Sequence, residues 1–265
     1  MGFFFKDLKG VKLGFIGTGK IASSVIFGIN KSKIKYKQII ISSRNKKIAK
    51  NLKKKFKKII ISKNNQEIID KSDWVFLSVT PTVGKKIIKD LKFKHNQTVI
   101  SFISTITLSQ LKRMIKKKIV IVRAIPLPPI SLKEGPVPIF PPNKKVKAFF
   151  DKLGSTIEIK NEKLSINFWS TSGMMASYYN MLDSMSVWLN KKGVKKLDAQ
   201  KYVTSLFFAL SKDAVINSNK DLKLLVKDSQ TPKGLNEQGL KEMTKKDVYK
   251  SVINTLNRIY KRLDK

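Results

Sequence analysis

Val11-Lys12-Leu13-Gly14-Phe15-Ile16-Gly17-Thr18-Gly19-Lys20-Ile21-Ala22 is the stretch on which the reading of this chain turns. A short apolar strand runs directly into G-x-G-x-x-A, and a helical pattern follows to about Asn30. In that context each small residue has a physical role. Gly17 permits a tight turn, Gly19 lets a pyrophosphate approach the backbone, and Ala22 lets the helix pack close to the strand. Phosphates would then sit on the helix N-terminus, which makes Gly17, Thr18, Gly19, Lys20 and Ile21 candidate cofactor contacts. The plainer alternative is an ordinary strand–turn–helix.

Working outward, a second strand over Gln38–Ser42 ends in Ser43-Arg44-Asn45. A domain that prefers NAD would place Asp or Glu there to hold the ribose hydroxyls. With no carboxylate and an arginine able to fork onto a phosphate, Ser43 and Arg44 favour the 2′-phosphate of NADPH; otherwise Arg44 is a solvated loop residue. Further strands fit 58–62, 73–79, 98–103 and 119–122, with amphipathic stretches near 45–56, 83–91 and 108–116 between most of them. Strands alternating with helices imply a doubly wound, mostly parallel Rossmann sheet. Its ligand should lie outside the carboxyl ends of the strands, so Val79-Thr80-Pro81 and Ser104-Thr105 become candidates to line the cofactor pocket.

Composition limits the chemistry. The 265 residues are enough for two modest domains. There is no cysteine and one histidine, His95, in the polar stretch Lys94-His95-Asn96-Gln97. A transition-metal site, a thiolate nucleophile or a histidine triad has almost nothing to be built from, so no metal is expected and a bound cofactor should carry the reaction. The start, Met1-Gly2-Phe3-Phe4-Phe5-Lys6, has too short an apolar run for a signal peptide, and no window offers the ~20 apolar residues of a membrane span. A cytoplasmic protein with no membrane partner is expected. The net charge of +37 would suit a nucleic-acid partner, but arginine occurs only at 44, 113, 123, 258 and 262, and the lysines are spread along the whole chain. Nucleic-acid readers rely on arginine forks and aromatic platforms, so no nucleic-acid role is expected.

From about Glu162 the strand signals stop, and periodic helical segments follow near 163–191, 198–218, 221–228 and 234–263, the last broken near Lys245. The expected division is a Rossmann domain over 1–160 and an all-helical domain over 161–265, which either dimerises or caps the cleft. Over almost its full length the chain resembles the pyrroline-5-carboxylate reductase family. The motifs that carry the resemblance run in order: Gly14-Phe15-Ile16-Gly17-Thr18-Gly19, Ser43-Arg44, Val79-Thr80-Pro81, Val122-Arg123-Ala124-Ile125-Pro126, Glu134-Gly135, Ser170-Thr171-Ser172-Gly173 and Thr231-Pro232-Lys233-Gly234-Leu235-Asn236.

The resemblance implies a helical dimerisation domain, a homodimer or higher homo-oligomer, and hydride transfer from NADPH to the C=N carbon of a small cyclic imine, 1-pyrroline-5-carboxylate, giving proline. It implies that the loop Thr231–Asn236 meets the substrate, with amides near Gly234 for its carboxylate, so that Lys233, Gly234, Leu235 and Asn236 bind it. Asn236, Thr231 and Ser172 would hydrogen-bond the reacting end. Read without the resemblance, the same loop is a helix-capping turn. The chain departs from the family pattern at Thr80, where Lys is usual, and at Leu127, where Asn is usual. It departs again at Met174, where Pro is usual, and at Lys233 and Asn236, where Gly and Thr are usual. These departures favour, as an alternative, a reductase of another imine or keto acid; a further alternative is a nucleotide-binding protein without catalysis, a sensor or scaffold.

Overall fold

The computed structural model describes residues 8–264; the expectation drawn from Met1–Lys6 lies outside them. Two compact units divide the chain, Met1–Ser165 and Ile166–Lys265. The first holds a single eight-stranded sheet. Its strands are β1 Lys12–Ile16, β2 Gln38–Ser42, β3 Ile59–Ser62, β4 Trp74–Leu77, β5 Thr98–Ser101, β6 Val120–Ala124, β7 Pro136–Phe140 and β8 Ser155–Glu158. They lie in the order β3-β2-β1-β4-β5-β6-β7-β8, parallel throughout except where β7 runs antiparallel to β6. The helices of this unit are α1 Lys20–Lys31, α2 Lys46–Lys55, α3 Asn65–Lys71, α4 Pro81–Ile87, α5 Leu108–Ile115 and α6 Lys144–Phe150. The doubly wound sheet is the one expected.

Strands covered on both faces read as continuous apolar runs, because alternate side chains enter different cores. Leu13 and Phe15 of β1, Ile39 and Ile41 of β2, and Trp74 and Phe76 of β4 join one core with Val25, Ile29, Phe149 and Phe150. Ile16, Ile40, Val75 and Leu77 of the same strands join the other with Ile68, Ile69, Ile88 and Leu111. Across the β1–β4 register pair the rings of Phe15 and Phe76 stack with centroids 4.4 Å apart, and Phe149 closes on Phe76 at 5.8 Å.

Two strands and two helices went unread in the sequence. β7 carries Pro136 and Pro138, and proline lacks the N–H a ladder uses, which argues against a strand. It survives because its pairing with β6 is short and uses proline as acceptor, Ile125 N–H donating to Pro138 O at 3.1 Å. β8 is the sheet edge and largely exposed, so no apolar alternation marks it. α3 and α6 are seven residues each, too short for periodicity to show.

The second unit is all helix: α7 Ser165–Ser172, which starts at the junction, then α8 Met175–Lys191, α9 Lys196–Ile216, α10 Leu222–Asp228, α11 Leu235–Lys245 and α12 Val248–Leu263. The segment expected as one helix over 163–191 is broken at Gly173, and the expected break near Lys245 is present. The first unit extends to Ser165, past the expected boundary at 160, because Glu162 is bonded back to Arg123 and Leu108.

Removing the stacked ring at the centre of the sheet leaves a cavity that flanking strands cannot close. Phe76→Ala is expected to cost about 3–5 kcal/mol, read as a lowered urea midpoint at unchanged slope.

Candidate functional site

The carboxyl ends of β1, β2, β3 and β4 lie side by side, and over them opens a cleft of about 260 Å³. The turn leaving β1 is its floor. Gly17 takes φ +100°, and a Cβ there would stand 2.5 Å from the Ser78 carbonyl oxygen. Two serines hold the turn: Gly17 N–H donates to Ser42 Oγ at 3.1 Å, and Ser78 Oγ donates to Gly17 O at 2.8 Å. Gly19 is the N-cap of α1, with no side chain capping the helix and open space where its Cβ would be. An uncapped helix start with free approach suits a phosphate. Of the residues expected there, Lys20 is exposed and Ile21 packs partly against the core. Thr18 is buried, with its hydroxyl turned to Ser42 O at 3.4 Å.

The cleft's polar wall contains Ser43 and Arg44, two of the candidate residues, and also Lys63, Asn64 and Asn65, which sequence reading did not single out. Its apolar wall is Val79, Val83 and Ile87. Cations and amides on one side and aliphatic side chains on the other match a phosphorylated adenosine, so the residues present fit the dinucleotide. The signal for the missed group was Asn64-Asn65-Gln66-Glu67, a helix-start pattern. Asn64 Oδ1 caps α3, accepting from Glu67 N–H at 2.9 Å, and Glu67 Oε2 accepts from Lys63 N–H at 2.7 Å and from the Ser62 hydroxyl at 2.6 Å. Bonded first to Lys71 and then to Ser62 and Lys63, the Glu67 carboxyl is held down to about 2. The stability this brace adds is complete above the ordinary carboxylate range and is lost as pH falls from there through about 2.

On the other side of β1, Thr80 is the N-cap of α4 and Pro81 its first residue, both just past β4. Ser104 follows β5, and its carbonyl accepts from the Arg123 guanidinium. None of these three lines the cleft beside Arg44. His95 is exposed in its loop.

In the second unit the turn Thr231–Asn236 leads into α11 with Gly234 as N-cap. Gly234 N–H donates to Thr231 O at 2.8 Å, and a Cβ on Gly234 would stand 2.2 Å from Thr231 Oγ1 and 2.9 Å from Thr231 O. Lys233 sits at φ +61°, with its N–H on Glu237 Oε2 at 2.6 Å. Asn236 Nδ2 donates to Ser229 O at 2.8 Å, which makes this side chain a brace of the turn. The Ser172 hydroxyl donates to Phe168 O at 2.9 Å within α7. Thr231, Lys233 and Leu235 are exposed. The turn brings Thr231, Lys233, Gly234 and Asn236 together, while Ser172 lies on a separate helix of the same unit.

A left-handed backbone disfavours any side chain, so Lys233→Gly is expected to raise stability by about 0.5–1 kcal/mol. Gly234→Val, which drives carbon into Thr231, is expected to lower the melting temperature. Thermal unfolding of the two variants side by side checks both signs.

Residues 12–105 match the family described as NADP oxidoreductase, coenzyme F420-dependent, and residues 163–265 match the pyrroline-5-carboxylate reductase dimerisation family. Pyrroline-5-carboxylate reductase 2 of Bacillus subtilis is 21% identical over 260 residues, covering 95% of this chain and 93% of that protein. Among solved structures, 1-pyrroline-5-carboxylate reductase from Streptococcus pyogenes superposes with a TM-score of 0.79 at 23% identity, covering 96% of this chain and 98% of that one. Plasmodium falciparum pyrroline carboxylate reductase with NADP bound gives 0.82 at 21% identity, covering 97% and 98%. With the two matched families in this order along one chain and relatives aligned over nearly its whole length, the chain is similar to the pyrroline-5-carboxylate reductases from its Rossmann unit through its helical one.

Proposed function

We propose that this chain is a cytoplasmic, homodimeric, NADPH-dependent reductase of a small cyclic imine, with 1-pyrroline-5-carboxylate the first candidate substrate and proline its product. The observation that carries the reading is the cleft beyond β2. It has Arg44 and Lys63 on its polar wall and no carboxylate among its lining residues. A 2′-phosphate finds cations there, and a ribose hydroxyl finds no acid to hold it. Reduced nicotinamide supplies the hydride. A cyclic imine is readily protonated near neutral pH, so the protein need not provide a strong acid. Its work is orientation and charge placement, which suits a chain with no cysteine and one exposed histidine.

The turn Thr231–Asn236 is the proposed carboxylate and ring-nitrogen site. Thr231 offers a hydroxyl, Lys233 a nearby cation and Leu235 an exposed apolar side chain. Ser172 and Asn236 are already bonded inside their own segments, so they act through the oxygen lone pairs that remain. A second reading, a reductase of another imine or keto acid, is favoured by the same fact. The family's threonine hydroxyl is replaced by an amide whose N–H braces the turn. NADPH oxidation with a panel of cyclic imines and keto acids separates the two, and no turnover with any of them favours a non-catalytic nucleotide-binding protein.

The scarcity of core in the helical unit supports the oligomer. Among the described residues after Ile166 only Ser170, Ser186, Ala199 and Val203 are buried, while Trp188, Leu197, Phe208, Val215 and Ile216 are each more than half exposed. Apolar surface on this scale is normally covered by another chain. No described helix is long and apolar enough to cross a membrane, and neither a membrane nor a nucleic acid is proposed as partner.

NADPH is expected to bind more tightly than NADH, and Arg44→Ala to lose about 1.5–3 kcal/mol of NADPH binding while NADH binding hardly changes. Equal dissociation constants for the two cofactors would sink the assignment of Arg44. Light scattering is expected to give a dimer or larger for the full chain and a monomer for a chain ending at Ser165, at raised salt where repulsion between +37 charges is screened.

A further inference from the structure

Arg123, one residue before the end of β6, is 3% exposed, and its guanidinium reaches Glu162 and Ser104. Nη1 pairs with Glu162 Oε1, and Nη2 donates to Ser104 O. The same Glu162 oxygen accepts from Leu108 N–H at 2.7 Å. One ion pair therefore holds the segment Ser104–Leu108, which leads from the β5–α5 loop into α5, at its first and last residues. Thr107, the last residue of the loop, and Gln110 of α5 exchange side-chain and backbone bonds in a capping box at the start of the helix. Burial lowers the pKa of Arg123 and the charge of Glu162 opposes that shift; an arginine stays cationic throughout. Apolar residues of similar volume would commonly fill such a place at no loss of stability. What the charges add is direction: the guanidinium aims at one particular carbonyl, and the carboxylate at one particular amide.

The position of that loop gives the direction its use. In the sheet order, Arg44 after β2 and Ser104 after β5 lie on opposite sides of β1, at the same edge of a parallel run. A dinucleotide with its 2′-phosphate on Arg44 and its pyrophosphate at the Gly17 turn projects its other half toward β4, β5 and β6. We propose that the Arg123–Glu162 pair is a positioning device, fixing the segment Ser104–Leu108 as the surface against which the nicotinamide half of the cofactor lies. The proposal rests on the NADPH reading above.

The test compares the affinities of the full chain for NADPH and for adenosine 2′,5′-bisphosphate, which lacks the nicotinamide half. Three variants are used. Glu162→Gln removes the charge. Leu108→Pro removes the single N–H at the first position of α5, where proline is tolerated and the preceding Thr107 is already extended. Arg123→Met with Glu162→Leu replaces the pair by apolar volume. Wild type is expected to bind NADPH at least tenfold more tightly than the bisphosphate. Glu162→Gln and the double variant are expected to lose most of that ratio, and Leu108→Pro about threefold of it, with bisphosphate affinity held within twofold. The double variant is expected to recover melting temperature relative to Glu162→Gln without recovering the ratio. An unchanged ratio in Leu108→Pro and Glu162→Gln, or a ratio that returns together with the melting temperature, overturns the proposal. Equal affinity of wild type for the two compounds overturns it as well. If wild type binds neither compound, the cofactor reading has failed, and the proposal with it.

Discussion

The β1–α1 turn depends on two serine hydroxyls that come from strands on either side of it. Ser42 accepts from Gly17 N–H, and Ser78, just past β4, donates to Gly17 O. Both contacts exist only because β1 pairs in parallel with β2 on one flank and β4 on the other. Parallel pairing puts every carboxyl end at one edge, and the turn at the centre of that edge sets where a phosphate can go. With Ser78 O standing where a Cβ would be, residue 17 must be glycine, and the positive φ makes the same demand. Close strand spacing, helix start and cleft floor are consequences of that one crowded position.

The sheet can afford a very basic exterior because so little of its stability is electrostatic. Its central strands are buried on both faces, and the two cores are built almost wholly of Ile, Leu, Val and Phe. The ion pairs that do occur on helices are exposed pairs such as Lys71–Glu67 and Lys147–Asp151, which in general contribute little. Arg123–Glu162 differs in kind, since one partner is almost fully buried. Losing either member would leave the other's charge unpaired and break one backbone contact, to Ser104 O or to Leu108 N–H.

The helical unit has the opposite character. Its long helices carry tyrosine, tryptophan and leucine on several faces, yet few side chains are buried within one chain. Among the described residues, a hundred-residue unit with so small a core buries too little apolar surface within one chain to be well stabilised by it. The match of residues 163–265 to a dimerisation family agrees with that physical reading.

Much of this was legible along the chain, because it is local. The run from Val11 to Ala22 specifies strand, turn and helix by residue type, and the apolar stretches at 38–42 and 73–79 announce buried strands without their neighbours. Arg44 was visible because the absence of a carboxylate after β2 is itself a local fact. Other features arise only when distant segments meet. Lys63, Asn64 and Asn65 join Arg44 because β3 pairs with β2. β7 is a strand despite two prolines because β6 offers it a short antiparallel ladder. The Thr18 hydroxyl finds Ser42 O only because β1 and β2 are paired. Asn236 Nδ2 likewise meets Ser229 O only when the turn closes, which leaves its oxygen available. Arg123 carried only a family resemblance until Glu162, Ser104 and Leu108 were gathered around it. The sequence by itself determined which segments are strands and which glycines turn the chain, because backbone sterics and burial period act over a few residues. Tertiary structure alone decided which polar groups face the cleft and which are consumed as internal braces, because a hydrogen bond between distant residues depends on strand order and register.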